Sequence, residues 1–267
     1  MKPTLTALHV FPLKSCAPLS PAEAEVEARG LVADRRWMVV DESGRFLTAR
    51  KLPRLVLLRA RAAAEGLHID APGMPALIVR ALADVSARRR VEVWGSVVSA
   101  RMAEPEADAW ISAYLGFPAA FVHMDESAVR PVDPAYAQPG DLVSFADGYP
   151  LLLISQAALD ALNARLAEPV PMLRFRPNLV VDGVAAHAED GWKRVRIGGI
   201  EFDVVKPCIR CVFTTLDFGR GEFSADGEPL RTLLTYRRTP KGVSFGQNLI
   251  PRGVGTLRVG AAVEVLA

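Results

Sequence analysis

The sequence predicts a mixed, β-rich α+β protein. An N-terminal β-barrel-like domain over residues 1–120 is followed by a second β-barrel domain with a few helices over residues 121–267. Three observations lead there. Apolar and β-branched runs of strand length recur between turn residues, few segments carry helical periodicity, and 267 residues with 50% hydrophobic content can bury a sizeable core and exceed the ~100–200 usual for one domain.

Hairpin signals dominate the first part. Arg36–Val40 and Arg45–Ala49 flank Glu42-Ser43-Gly44, Leu55–Ala62 and Leu67–Ile69 flank Glu65-Gly66, and Val91–Trp94 and Val97–Met102 flank Gly95-Ser96. Pro105–Leu115 then spaces Ala109, Trp110, Ala113 and Tyr114 as one face of a helix, which closes the first domain near residue 120. Arg130–Gly140, with prolines at 131, 134 and 139, reads as an extended linker or surface loop. Ser155 opens a helix with Leu159, Leu162 and Leu166 on one face, stopped by Pro169 and Pro171. Leu179–Val181, Arg194–Ile197 with Ile200–Val205 across Gly198-Gly199, Phe245–Ile250, and Thr256–Val259 with Ala262–Leu266 carry strand chemistry.

The formal charge of +2 is the near-cancellation of 32 basic and 30 acidic side chains. No overall field points to nucleic acid or to an anionic membrane, so any anion site must be local. A membrane helix needs ~20 apolar residues, and runs such as Leu151–Ile154 are far shorter. The N-terminal stretch through Pro12, Lys14 and Ser15 lacks an apolar leader segment, and the expectation is a cytoplasmic protein. Cys16, Cys208 and Cys211 are too few for a disulfide framework and are read as thiols.

The sharpest local signal is Val205-Lys206-Pro207-Cys208-Ile209-Arg210-Cys211-Val212-Phe213-Thr214-Thr215-Leu216-Asp217. Two cysteines at the end of a strand, beside Lys206 and Arg210, sit in a field that favours thiolate, a good ligand for a soft metal. Three other readings stay open. Zinc wants four ligands, and none of His9, His68, His123 or His187 lies nearby in sequence. A redox dithiol should open a helix in a βαβ unit, whereas the flanks here are strands. A plain buried cysteine pair is the third.

The chain resembles the MOSC-domain proteins of the amidoxime-reducing component type, in which a MOSC N-terminal β-barrel domain precedes the MOSC domain. The matching segments are Phe11-Pro12-Leu13-Lys14-Ser15-Cys16, Asp34-Arg35-Arg36-Trp37-Met38-Val39, Thr48-Ala49-Arg50, Phe175-Arg176-Pro177-Asn178, Cys208-Ile209-Arg210-Cys211 with Thr214-Thr215, Phe245-Gly246-Gln247-Asn248, and the Val259-Gly260 hairpin. The resemblance implies a molybdenum–molybdopterin cofactor whose metal is ligated by Cys211, the catalytic position, with pterin sulfurs completing the soft ligands. It assigns cofactor contacts to Lys14, Ser15, Arg35, Arg176, Asn178 and Arg210, and also to Asp147, Ser155, Ile209 and Asn248. Their chemistry suits the task, because a phosphate wants Lys, Ser hydroxyl or bidentate Arg and a pterin edge wants paired donors and acceptors.

Structural roles stand beside these. Ser155 is well placed as a helix N-cap, and Asp147-Gly148 as a turn. Arg35 and Lys14, taken singly, read as solvated charges. Trp37, Trp94, Trp110 and Trp192 read as core aromatics. Cys16 shares the family pattern without an assigned contact.

An iron–sulfur cluster needs four cysteines, so none is expected in this chain, and nothing resembles a pyridoxal-phosphate domain. The resemblance therefore implies an oxidoreductase that reduces small N-hydroxylated or related N-oxygenated substrates. Its electrons would come from a separate donor protein of ferredoxin-like, flavin or haem type. The alternative is a non-enzymatic cofactor carrier or sulfur-handling module.

Overall fold

The computed structural model describes residues 2–267. The N-terminal half runs through β1 (Thr4–Leu8), β2 (Glu23–Glu27), β3 (Gly30–Leu31), β4 (Trp37–Asp41), β5 (Arg59–Ala63), β6 (Gly66–Asp70), β7 (Leu77–Val79), β8 (Arg88–Val93), β9 (Ser96–Met102), α1 (Pro105–Leu115) and β10 (Ala119–His123). The C-terminal half continues with β11 (Leu151–Ser155), α2 (Gln156–Asn163), β12 (Leu179–Asp182), β13 (Arg194–Ile197), β14 (Ile200–Arg210), β15 (Leu216–Asp217), β16 (Glu222–Phe223), α3 (Leu230–Tyr236), β17 (Arg238–Thr239), β18 (Gly242–Pro251), β19 (Gly255–Arg258) and β20 (Val263–Val265).

Strands dominate, as the sequence predicts. The largest sheet follows the order β1-β12-β11-β18-β14-β13-β20, with β17 beside β18. Its ends approach each other: the Val263 amide donates to the Pro3 carbonyl at 2.9 Å and the Gly260 amide to the Leu5 carbonyl at 2.7 Å. The sheet is a nearly closed barrel, which leaves little edge for foreign strands. The parallel pair β11–β12 is joined by a crossover that carries α2. A second sheet, β4-β10-β9-β8, curls over α1. Pro105 starts α1, Glu106 and Asp108 suit its positive end, and Gly116 stops it in the left-handed region at φ 81°. Asp108 then accepts the Phe121 amide at 2.8 Å, tying the helix to β10.

Sheet pairing crosses residue 120. Leu5 and Leu8 on β1 pack with Val195, Phe202 and Leu249 of the C-terminal half, and β2 pairs with β19. The two halves thus share a core at the start of the chain, while Phe11, Leu13, Trp37, Trp110 and Phe121 fill a separate N-terminal cluster.

Several local expectations change. Arg45–Ala49 forms only isolated bridges, such as Phe46 to Val40, because it crosses the sheet edge rather than running along it. Pro53–Leu57 is a 3-10 turn with Pro53 at its start, so the strand there begins only at Arg59. Helix α2 ends at Asn163, before Leu166. The short helix α3 carries no periodic stripe long enough to be read from sequence, with Leu233 its buried residue. Trp37, Trp110 and Trp192 are buried, but Trp94 is 39% exposed at a hairpin tip. Among the described residues, no helix is long and apolar enough to cross a membrane.

Leu5 is fully buried on the strand that joins the halves. Leu5→Ala should lower the unfolding free energy by about 2–5 kcal/mol in urea titrations. Circular dichroism and tryptophan fluorescence should follow one shared transition, because both halves lose the same core. Two separate transitions, only one of them moved by the substitution, would contradict the shared core.

Candidate active site

A cleft with about 830 Å³ of atom-free space, part of it open to solvent, lies between the two halves. Its wall holds Lys14, Ser15, Arg35, Asp147, Arg176, Asn178, Ile209, Arg210, Cys211 and Asn248, all singled out from sequence. Ser155 is not there. Its hydroxyl caps α2 by accepting the Ala158 amide at 3.2 Å, and its own amide donates to Glu189 at 3.0 Å. That leaves a fully buried side chain that takes no part in the cleft wall.

The floor is a buried polar junction. Asp34 accepts the Phe11 amide at 2.8 Å through one oxygen and Arg35 at 2.5 Å through the other. Arg35 also donates to the Asn178 side-chain oxygen at 3.0 Å and lies over the Phe11 ring at 4.2 Å. Asn178 completes the link by donating to the His9 carbonyl at 3.0 Å and accepting the Leu152 amide at 3.2 Å. Arg176 also lies over this aromatic group, 4.0 Å from the Phe11 ring and 5.4 Å from Phe213, and donates to the Cys16 carbonyl at 2.5 Å. Burial pulls its pKa down to about 10, with Arg35 adding to the effect. Three of these cleft residues are left-handed without being glycine: Ser15 at φ 71°, Arg35 at φ 49° and Arg176 at φ 55°. Such conformations are uncommon and cluster where geometry is imposed by function.

At one end Lys14 is buried, with its ammonium donating to the Phe145 carbonyl at 2.8 Å and to Asp147 at 2.7 Å. Burial is the main reason its pKa falls to about 8, partly offset by Asp147. Desolvation by the donors crowded around its oxygens raises the Asp147 carboxyl even though the side chain is largely exposed, but Lys14 and then Arg50 outweigh it and hold the group well below the usual carboxylate range. Arg50 donates to Asp147 at 2.9 Å and Trp94 donates its indole N–H at 3.0 Å.

The thiols lie at the other end. Pro207 fits into β14 because the pairing with β18 shifts register on both sides, between Val204 and Lys206 and between Pro207 and Ile209. Cys208 and Cys211 are half-buried and all three cysteines are free. Arg210 donates to the Cys208 sulfur at 2.8 Å and to the Phe175 carbonyl at 2.5 Å. Cys211 heads a 3-10 turn, and its carbonyl takes the Thr214 amide and hydroxyl, both at 3.0 Å. Lys206 faces away from the thiols, 4.4 Å over the Tyr136 ring and 5.6 Å over Tyr149. Asn248 donates to the Lys206 carbonyl at 3.2 Å. Cys16 is buried outside the cleft, and burial pushes its thiol up to about 11.

The MOSC N-terminal beta barrel domain model matches residues 2–118 and the MOSC domain model matches residues 141–264. Human mitochondrial amidoxime-reducing component 1 is 34% identical over 98% of this chain and 83% of its own length. The chain belongs to the MOSC-domain family, of the amidoxime-reducing component type. Rat mitochondrial amidoxime reducing component 2 is 36% identical over 97% of this chain and 82% of its own length. A rice molybdenum cofactor sulfurase is 30% identical over 91% of this chain but only 32% of its own length. The mitochondrial relatives lend no support to the cytoplasmic expectation.

The residues of this MOSC protein suit an anionic ligand with a soft metal. Lys14, Arg35, Arg50, Arg174, Arg176 and Arg210 line the cleft against one carboxylate, Asp147. The Arg210 Nε is buried without a partner, a donor left for something else to satisfy. Among the described residues no three His, Cys, Asp or Glu side chains group as a metal site, so a metal at Cys211 needs ligands from its own cofactor.

Sequence reasoning gave no site role to Arg50, Arg174 or Arg130 and read Trp94 as a core aromatic. Arg174 spans to the Thr215 carbonyl at 2.9 Å and to Asp217 at 3.3 Å. Arg130 is buried behind the cleft and gathers the Ser144, Ala146 and Asp147 carbonyls at 2.7, 2.5 and 3.2 Å. The Thr48-Ala49-Arg50 match was the available signal for Arg50, whereas Arg130 was masked by a proline-rich context.

Lys14 gives this cleft a pH signature. Its folded pKa of about 8 lies below the ordinary 10.5, so above pH 8 the unfolded chain binds more protons than the folded one. Stability should therefore rise with pH across that window, the penalty being fully present below pH 8. Between pH 8 and 10 the wild type should gain about 2 kcal/mol relative to Lys14→Met, measured by urea unfolding at both values. A constant difference would show that Lys14 keeps an ordinary pKa.

Proposed function

We propose that this chain holds a molybdenum–molybdopterin cofactor with Cys211 as the protein ligand to the metal, and reduces small N-hydroxylated or related N-oxygenated compounds with electrons from a separate carrier protein. The observation that carries the reading is the convergence of two thiols, Cys208 and Cys211, six cations and neutral amides from both halves on one cleft. The MOSC domain is a molybdenum-cofactor-binding domain, and the relatives over nearly the whole chain are named amidoxime-reducing components.

When bound, the cofactor supplies two-electron chemistry and the pterin sulfurs that complete a soft ligand set. Cys211 offers its sulfur from a turn fixed by Thr214. Lys14, Arg35 and Arg176 bind the anionic portion, with Ser15 beside them. Asn178, Asn248 and the backbone around Ile209 present amide donors and acceptors for a pterin edge. Arg210 holds the Phe175 carbonyl and the Cys208 sulfur, which fixes the floor beside Cys211. The overall reaction takes an N–OH compound, two electrons and two protons to the N–H compound and water. The electrons enter from a ferredoxin-like, flavin or haem carrier.

The rice sulfurase relative favours a second reading, a carrier of cofactor or of sulfur on Cys211 without turnover. Turnover separates the two. Protein purified from a cofactor-competent host should contain molybdenum and pterin and reduce an amidoxime with an artificial one-electron donor, but not with NADH alone. Cys211→Ser should abolish activity and alter the metal's X-ray absorption, and Cys208→Ser should be milder, since a hydroxyl replaces a soft thiolate poorly. Equal losses with zinc bound would refute the ligand assignment, and full occupancy without turnover would favour the carrier.

A further inference from the structure

We propose that the Asp147 carboxylate is a built-in occupant of the site for the ligand's phosphate monoester, and that Arg50 and Trp94 complete that site with Lys14. The inference rests on the cofactor reading above and adds to it which donors meet the phosphate and what they hold before it arrives.

Three donors of different kinds converge on this one side chain. Lys14 Nζ lies 2.7 Å from one oxygen, Trp94 Nε1 lies 3.0 Å from the same oxygen, and Arg50 Nη2 lies 2.9 Å from the other. Two cations and an indole N–H are more than a surface carboxylate needs, and they match the oxygens of a phosphate. Asp147 is itself 63% exposed in its side chain, on the cleft wall, so it can withdraw into solvent. Lys14 cannot: it is buried, and Arg35 and Arg130 press on its charge. A buried ammonium requires an anion, and Asp147 supplies one until another takes its place.

Trp94 shows that the arrangement is imposed. It occupies a two-residue hairpin turn at φ 51°, followed by Gly95 at φ 79°, where a bulky side chain is a conformational outlier. The strain places its ring 4.3 Å over the Arg50 guanidinium and 4.7 Å from Phe46, across the mouth of the Lys14 end. Trp94 therefore orders Arg50 and reads Asp147 through one hydrogen bond. A phosphate and the Asp147 carboxylate carry like charge and want the same donors, so they exclude each other. When phosphate enters, Asp147 leaves and Trp94 exchanges its carboxylate acceptor for a phosphate oxygen.

The test uses the full chain from a host unable to make the cofactor, titrated with inorganic phosphate by calorimetry and by tryptophan fluorescence. Asp147→Asn removes the competitor and should tighten phosphate binding about tenfold, whereas Arg50→Gln should weaken it ten- to a hundredfold. Arg50 is partly exposed, so its variant should fold, and Arg90→Gln serves as the control. Trp94→Phe, which lacks the indole N–H, should weaken calorimetric binding about tenfold and lose most of the fluorescence response. Cofactor-loaded protein should give no phosphate response, since its site is filled. Weaker or unchanged binding in Asp147→Asn, equal binding in Arg50→Gln, or undiminished phosphate binding by loaded protein would overturn the proposal. Molybdenum content and the Cys211→Ser result are independent of these outcomes, so failure here leaves the cofactor reading standing.

Discussion

A buried carboxylate, Asp34, pairs with the Arg35 guanidinium and the Phe11 amide, and the cleft depends on that arrangement. Neither charge could stay inside the fold alone. Once paired, Arg35 reaches Asn178, and Asn178 in turn grips the His9 and Leu152 backbones, which belong to opposite halves of the molecule. The position of Arg176 over Phe11 follows, because the ring is pinned through its own amide. A cleft that gathers cations this densely needs such a rigid floor to keep them from spreading apart.

The same logic governs the loop opposite. Arg130 is surrounded by carbonyls rather than by a carboxylate, and it curls residues 144–147 into a fixed bend that presents Asp147 to the cleft. The chain is nearly neutral overall, yet six of its 32 basic side chains are held around one cleft by backbone carbonyls and a few acids. Local charge of this kind attracts an anion without making the whole surface sticky.

How much of this was legible in the sequence depended on range. Alternating apolar runs and glycine turns reveal hairpins such as β8–β9 and β13–β14, because their partners are a few residues away. Pro105 and Gly116 bracket α1 for the same reason. β1 escaped notice because Thr4–Leu8 pairs with residues 179–182, and no local signal announces a partner that distant. At the site, motif resemblance pointed to residues such as Lys14 and Cys211, whereas Ser155 fitted a cap and a contact equally well from sequence. Only the buried hydrogen bond from the Ala158 amide to its hydroxyl shows the cap. Trp94 looked like core because tryptophan usually is, and its left-handed turn is visible only in three dimensions.

The long reach of β1 bears on how the chain is made. Leu8 leaves the ribosome some 170 residues before its partner Leu179, about ten to thirty seconds at ordinary elongation rates. During that interval the strand's apolar face has no sheet to join, while the Phe11–Trp110 cluster already has most of its members. The first strand of the barrel therefore waits for β12, and the seam at Pro3–Val263 closes only after β13 to β19 have also been made. A chain built this way relies on whatever shields a short apolar segment at the tunnel exit, and a stall before β12 emerges would strand it in its most adhesive state.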